Sequence, residues 1–318
     1  MAEIFIEVKD FESPQRLDVY VSQNTQNFTR SRLKNGVEKI LVNNKNAKLS
    51  AKVSNGDKIF IQWEDPIPQD ITPENIPLEI LYEDDNVTVV NKKQGMVTHP
   101  ACGNWTGTLV HALLYHWGNS IPEKNDFENP AGKHRRGIVH RLDKDTSGII
   151  ICAKNYEAEE WLQNQFKERR VKKEYIAIVK GIPKEKSGSV KVQMIRDSKN
   201  RKKFTTTDDV SKGKFSHTVY RCVATYGNYS LMKLKLKTGR THQIRVHMKY
   251  LGCPILGDPI YGSKDSLFDS ATLMLHSKDL GIRLPQSNEF SFFTSDTPVR
   301  FKKVMQKLHK MYKKIAWK

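Results

Sequence analysis

The first sixty-odd residues alternate short apolar stretches with polar turns. Ile4-Phe5-Ile6-Glu7-Val8 has the β-branched and aromatic content of a short strand. Leu17, Tyr20 and Val21 repeat at helical spacing and predict a first helix. Asn27 to Thr29 offers an N-cap for a second helix over Arg30-Ser31-Arg32-Leu33-Lys34, ending near Asn35-Gly36. Ile40 to Val42, Leu49, Val53 and Lys58 to Ile61 then read as short strands. Four prolines (Pro66, Pro68, Pro73, Pro77) interrupt any helix or central strand and predict a stiff linker over 65–77.

Beyond the linker the strand pattern resumes with Ile80 to Glu83 and Val87 to Lys92, around a turn at Asp84-Asp85-Asn86. Thr108 to Trp117 is predicted helical and 118–137 a loop. Ile149 to Ala153 reads as a buried strand, Glu157 to Arg169 as a helix and Lys173 to Val179 as a strand. Val219 to Leu236 forms a hairpin pattern around Gly227-Asn228, and Thr241 to Tyr250 suits a helix. In the tail, Phe301, Val304, Met305, Leu308, Met311, Tyr312 and Ile315 mark one apolar face opposite a basic one. The expected organisation is a domain at 14–64, the linker, a main domain at 78–300 and an amphipathic helix at 301–318. The fold class is α+β.

Charge changes this picture. Over the 318 residues the net charge is +18, unevenly spread: +2 over 1–64, −7 over 65–132 and +23 over 133–318. A field of that size draws polyanions, and nucleic acid is the first partner to expect. No apolar run approaches the roughly 20 residues of a membrane helix. The four cysteines form no CxxC pair, which argues against a zinc ribbon and for a reducing cytoplasm. No motif for a phosphate-binding loop, dinucleotide site, serine nucleophile or zinc protease is found, so neither metal nor nucleotide cofactor is expected. The pairs His111/His116 and His242/His247 are each five apart, which suits hydrogen-bonded or surface histidines better than metal ligands.

Two polar clusters carry candidate chemistry. In His140-Arg141-Leu142-Asp143-Lys144-Asp145-Thr146-Ser147-Gly148, carboxylates sit among cations just before the buried strand. Cations favour the ionised carboxylate, which serves as nucleophile or base. In Thr238-Gly239-Arg240-Thr241-His242-Gln243-Ile244-Arg245-Val246-His247, Arg240 and Arg245 are candidates to grip a carboxylate or phosphate with a planar fork. Three readings fit these clusters: a transformation of RNA, an RNA clamp without catalysis, and an N-glycosidase or RNA hydrolase. The last usually wants two flanking carboxylates.

These clusters, with Asn91-Lys92 to His99-Pro100, Lys173-Glu174-Tyr175 and Gly257-Asp258-Pro259-Ile260-Tyr261-Gly262, resemble the RluA-type RNA pseudouridine synthases in order and content over about 78–285. Lys93 stands where that family usually has proline. Arg16-Leu17-Asp18, Ser31-Arg32, Val42-Asn43 and Gly56-Asp57-Lys58-Ile59 resemble an S-four-type RNA-binding domain, with Asn44 in the place of its usual glycine. The resemblance implies a catalytic domain built on a mixed, largely antiparallel sheet flanked by helices. It implies that Asp143 is catalytic, that Arg240 pairs with Asp143, and that Tyr175 stacks on the flipped base and is a candidate to help remove the C5 proton. Arg141 would fill the gap the base leaves; Arg30, Arg32, Lys34 and Arg245 would contact RNA. The implied partner is large-subunit ribosomal RNA, with transfer RNA as the alternative, acted on by a cytoplasmic monomer that needs no cofactor and binds no membrane.

Overall fold

The computed structural model describes residues 2–9, 13–25, 28, 30–35, 37–63, 71–101, 104–118, 137–198, 200–287 and 289–312; the side chains of 2, 31, 32 and 35 are outside that set. Asn27 and Thr29 of the expected N-cap, residues 65–70 of the linker and nearly all of the loop 118–137 lie outside the described residues. The chain forms two compact units, Met1–Ile71 and Thr72–Lys318.

In the first unit, β1 (Ala2–Glu7) pairs antiparallel with β6 (Lys58–Trp63), which also pairs with β3 (Val37–Val42), and β3 with the short β4 (Lys45–Asn46). The unit therefore includes a strand ahead of residue 14, where the sequence pattern had placed its start. A second small ladder joins β2 (Gln15–Arg16) to β5 (Lys52–Val53). Period-two alternation buries Ile59, Ile61 and Trp63 from β6 against Leu17, Tyr20 and Val21 of α1 (Leu17–Asn24) and Leu33 of α2 (Arg30–Asn35). The β3–β4 turn is made by Asn43 and Asn44, at φ 50° and 63°. Both are left-handed, as a two-residue type I′ hairpin requires, and asparagine tolerates that region without a glycine.

The second unit is built on one mixed sheet. Its strands are β7 (Ile80–Glu83), β8 (Val87–Lys92), β9 (Ser147–Ala153), β10 (Lys172–Lys180), β11 (Ser187–Arg196), β12 (Phe204–Thr207), β13 (Lys214–Tyr226), β14 (Tyr229–Leu236), β15 (Leu275–Arg283) and β16 (Phe290–Thr294). Their order is β12-β11-β13-β14-β10-β15-β9-β8-β7, with β16 on β15. Every pairing among the described residues is antiparallel except β9 with β15, at Ser147–His276 and Gly148–Ser277. All seven residues of β9 are buried. The helices α3 (Leu109–His116), α4 (Tyr156–Lys167) and α5 (Gln243–Tyr250) fall within a residue or three of their predicted bounds. The last helix, α6 (Val299–Met311), buries Phe301, Val304 and Leu308 and exposes its lysines. Met311 is exposed, and Ile315 lies outside the described residues. No helix among the described residues is long and apolar enough to cross a membrane.

Candidate active site

The single parallel crossing between β9 and β15 fixes the polar loop that precedes β9. Burying an isoleucine side chain is worth about 1.5–3 kcal/mol. Ile149, Ile150 and Ile151, all fully buried, therefore anchor the loop's downstream end more firmly than any polar contact in it. Gly148 makes the crossing possible. Its φ is 114°, and a side chain there would lie 2.2 Å from the Ser277 carbonyl oxygen.

Upstream, the loop is tied by its carbonyls. Thr98 Oγ1 donates to Leu142 O (3.2 Å), and the backbone N–H of Gly95 donates to Lys144 O (2.9 Å). Gln94 Nε2 donates to Asp145 O (2.9 Å) and to Leu273 O (3.0 Å). Lys92, buried, sends its ammonium to the carbonyls of Lys93 (3.0 Å), Met96 (2.7 Å) and Lys144 (3.2 Å). Burial pushes the Lys92 pKa down to about 7, against the opposing pull of Asp143 and Asp145. At the strand end, Ser147 Oγ meets His276 Nδ1 (2.8 Å) and accepts from Arg300 of α6 (2.6 Å). The residues flanking Asp143 are thus held on both sides, while the Asp143 side chain stays partly exposed.

His140 is not part of this chemistry. Its Nε2 accepts the Ile151 N–H (3.0 Å), its ring stacks on Phe166, and burial holds its pKa near 3. It is a neutral structural histidine.

Arg245 faces Asp143. Its Nη1 lies 3.4 Å from Asp143 Oδ2, while its Nε and Nη2 donate to the two oxygens of Asp258 at 2.8 Å each. Asp258 Oδ1 also accepts the N–H groups of Ile260 (2.9 Å) and Tyr261 (3.0 Å). These bonds hold the buried Asp258 carboxyl below the usual carboxylate range despite burial. The guanidinium lies over the Tyr261 ring, 5.2 Å from its centroid. Asp258 thereby grips Arg245 bidentately, and Arg245 reaches Asp143 with its remaining nitrogen.

The expected pairing of Arg240 with Asp143 is corrected by this geometry. Arg240 lies ahead of α5, its Nε donating to Phe215 O (3.1 Å) and its backbone N–H to Gln243 Oε1 (3.0 Å). A left-handed turn at His242 (φ 58°, ψ 15°) separates it from the helix that carries Arg245. Arg245, expected on RNA, is instead buried in the ion pair. Flanked by the buried Ile244 and Val246, Arg245 finds its buried carboxylate in Asp258, a partner thirteen residues on that the spacing within α5 does not reveal.

Tyr175 lies on β10 opposite Ser277 of β15. Burial and the charge of Asp143 raise its pKa to about 12, so the phenol is neutral at physiological pH. Arg141 is exposed on the same loop as Asp143. His242, also missed as a site residue, approaches Asp143 Oδ2 to 3.9 Å and contacts the Tyr261 hydroxyl. In the other unit, Arg30 is committed to Asp18 (2.9 Å), Lys34 is exposed and the Arg32 side chain lies outside the described set. No group of three or more metal-type ligands assembles among the described residues.

A family model described as RNA pseudouridylate synthase matches residues 86–250, which span the Asp143 loop, Tyr175 and Arg245. The chain is 47% identical over 296 residues to the Ribosomal large subunit pseudouridine synthase D of Borreliella burgdorferi, covering 91% of this chain and 88% of that one. It is 41% identical over 321 residues to an uncharacterized RNA pseudouridine synthase of Chlorobaculum parvum, covering 95% and 97%. Among solved structures, Human RNA Pseudouridylate Synthase Domain Containing 4 superposes with a TM-score of 0.57 at 25% identity, covering 73% of this chain and 93% of that one. With half the chain inside the family match and relatives aligned along nearly all of it, this protein belongs to the RNA pseudouridine synthases, enzymes whose substrate is RNA.

Proposed function

We propose that this enzyme converts uridine to pseudouridine in large-subunit ribosomal RNA and that Asp143 is its catalytic residue. The observation that carries the assignment is the Asp258–Arg245–Asp143 chain. It aims one partly exposed carboxylate from a buried, doubly anchored arginine. The reaction breaks the uridine N1–C1′ bond, turns the base and joins C5 to C1′. No atom is gained or lost, so the chemistry itself calls for no cofactor.

The target base must first leave its stack, at a cost of a few kcal/mol. The exposed Arg141 fills the gap, and the neutral, buried ring of Tyr175 offers the base a stacking face. With a pKa of about 12, Tyr175 is a poor proton acceptor at neutral pH, which favours stacking over base catalysis. Asp143 acts on the sugar, as nucleophile at C1′ or base at C2′. The first unit is a second RNA-binding surface of the S-four type, in which Lys34 and Arg32 meet phosphates and Arg30 is shared with Asp18. The relatives named for the large ribosomal subunit support ribosomal over transfer RNA, and a cytoplasmic monomer suits that substrate.

Tritium release from RNA labelled at uridine C5 tests the proposal. Undermodified large-subunit ribosomal RNA is expected to release tritium and bulk transfer RNA is not. Release from transfer RNA alone would replace the substrate assignment.

A further inference from the structure

His242 occupies an unusual position. It is a non-glycine residue in the left-handed region (φ 58°), placed immediately before the helix that carries Arg245. Left-handed residues that persist at a site are held there by their surroundings. Here the surroundings are a short hydrogen-bonded chain. The backbone N–H of Phe204 on β12 donates to the Tyr261 hydroxyl oxygen at 2.8 Å. That hydroxyl lies 2.9 Å from His242 Nδ1. On the other side of the ring, Nε2 lies 3.9 Å from Asp143 Oδ2.

The donor inventory decides which ring nitrogen carries the proton. A backbone N–H only donates, so the Tyr261 oxygen accepts from Phe204. The buried hydroxyl then needs an acceptor for its own proton, and Nδ1 is the one in reach. With Nδ1 accepting, the neutral ring carries its proton on Nε2, facing Asp143. The opposite tautomer would leave the phenol proton unpaired and turn a lone pair toward a carboxylate. Burial favours the neutral ring; Asp143 and Asp258 oppose that, while Arg245 on α5 and Arg141 on the loop add to it.

We propose that His242 is a positioning residue for the isomerisation: the Tyr261 hydroxyl locks it as the Nε2–H tautomer, and it presents a neutral donor to Asp143 Oδ2. Both Arg245 and His242 make their shortest approach to Oδ2, whereas Oδ1 takes no hydrogen bond from any described residue. Two donors on one oxygen fix the carboxylate's rotation and leave Oδ1 for the sugar. The present 3.9 Å gap must close to about 3.2 Å for a direct bond, a tightening typical of sites on binding substrate. The inference rests on Asp143 being the catalytic carboxylate.

The test compares three variants in single-turnover isomerisation at saturating ribosomal RNA, with RNA binding and melting temperature measured alongside. His242→Asn keeps a residue that tolerates the left-handed backbone and a polar group near Tyr261, but does not reach Asp143. It is expected to lose up to about 100-fold in turnover with binding and melting unchanged. His242→Gln restores a terminal N–H donor and is expected to recover part of that loss. Nitrogen NMR of the wild type, assigned through the His242→Asn spectrum, is expected to show the Nε2–H tautomer. Turnover of His242→Asn within twofold of wild type, equal losses in both variants, a loss that follows melting temperature, or an Nδ1–H tautomer would each overturn the proposal. Asp143→Asn in the same assay separates the two levels. If it is active, the Asp143 assignment itself fails; if it is inactive while His242→Asn matches wild type, only the positioning claim fails.

Discussion

Two arginine–carboxylate clusters, one in each unit, have inverse composition. In the first unit Asp18 is shared by two arginines, Arg16 at 3.0 Å and Arg30 at 2.9 Å, both with side chains at least half exposed. In the second unit one buried arginine, Arg245, is shared by two carboxylates, Asp258 and Asp143. The first arrangement over-satisfies its acid, whose pKa falls to about 2. Asp18 itself is buried, but both arginines stand in water, which screens the pair, and pairs screened in this way contribute about 1 kcal/mol or less. The second arrangement cannot satisfy both acids equally. Asp258 takes the bidentate grip and two backbone donors, so among the described residues Asp143 keeps one 3.4 Å hydrogen bond, from Arg245, and the more distant approach of His242 at 3.9 Å, both on Oδ2. A carboxylate that is aimed but incompletely paired is available for chemistry; one that is fully paired serves structure.

The sharpest way to break this contrast is Asp143→Asn, which is expected to lower turnover by at least about 10⁴-fold. RNA affinity should stay within a few-fold, because phosphate contacts dominate it. Next comes Arg245→Met, which strands Asp258 in the core. It is expected to destabilise the enzyme by about 3–5 kcal/mol in chemical denaturation and to abolish turnover. Arg240→Lys, by comparison, leaves the ion pair untouched and should retain far more activity than Arg245→Lys in the same assay. Gly148→Ala sets a side chain against the Ser277 backbone at a positive φ. The expected cost is about 1–3 kcal/mol or more, read as a lower melting temperature with reduced turnover. Smallest is Asp18→Asn, at about 1 kcal/mol or less near neutral pH. Because the folded-state pKa of Asp18 lies below its unfolded value, its contribution is present above about pH 4 and is lost as pH falls through about 2. The wild-type and Asp18→Asn denaturation curves should therefore converge in acid.

The sequence pattern was most informative where one periodicity ruled. The all-buried β9 and the docked face of α6 were legible as apolar runs and spacing, and the hairpin over Val219 to Leu236 was legible from its turn, though its first strand begins earlier, at Lys214. The strands β11, β12 and β16 were not, because edge and half-exposed strands mix lysine, serine and phenylalanine without clean alternation, and neither was β15, an interior strand whose apolar run is broken by His276-Ser277-Lys278-Asp279. The Asp143 loop was visible as a density of charge ahead of a buried strand. What stayed hidden was which arginine it meets. Arg240 and Arg245 are equivalent in composition, and only the left-handed turn at His242 and the partner Asp258, thirteen residues beyond Arg245, decide between them.

Single-turnover isomerisation of undermodified large-subunit ribosomal RNA by wild type and Asp143→Asn, with RNA binding measured on the same samples, tests the central claim most directly. The account predicts C5 tritium release by the wild type, none by the variant, and comparable binding by both. Release by the variant at a rate near wild type, or a loss of binding as large as the loss of turnover, would contradict it.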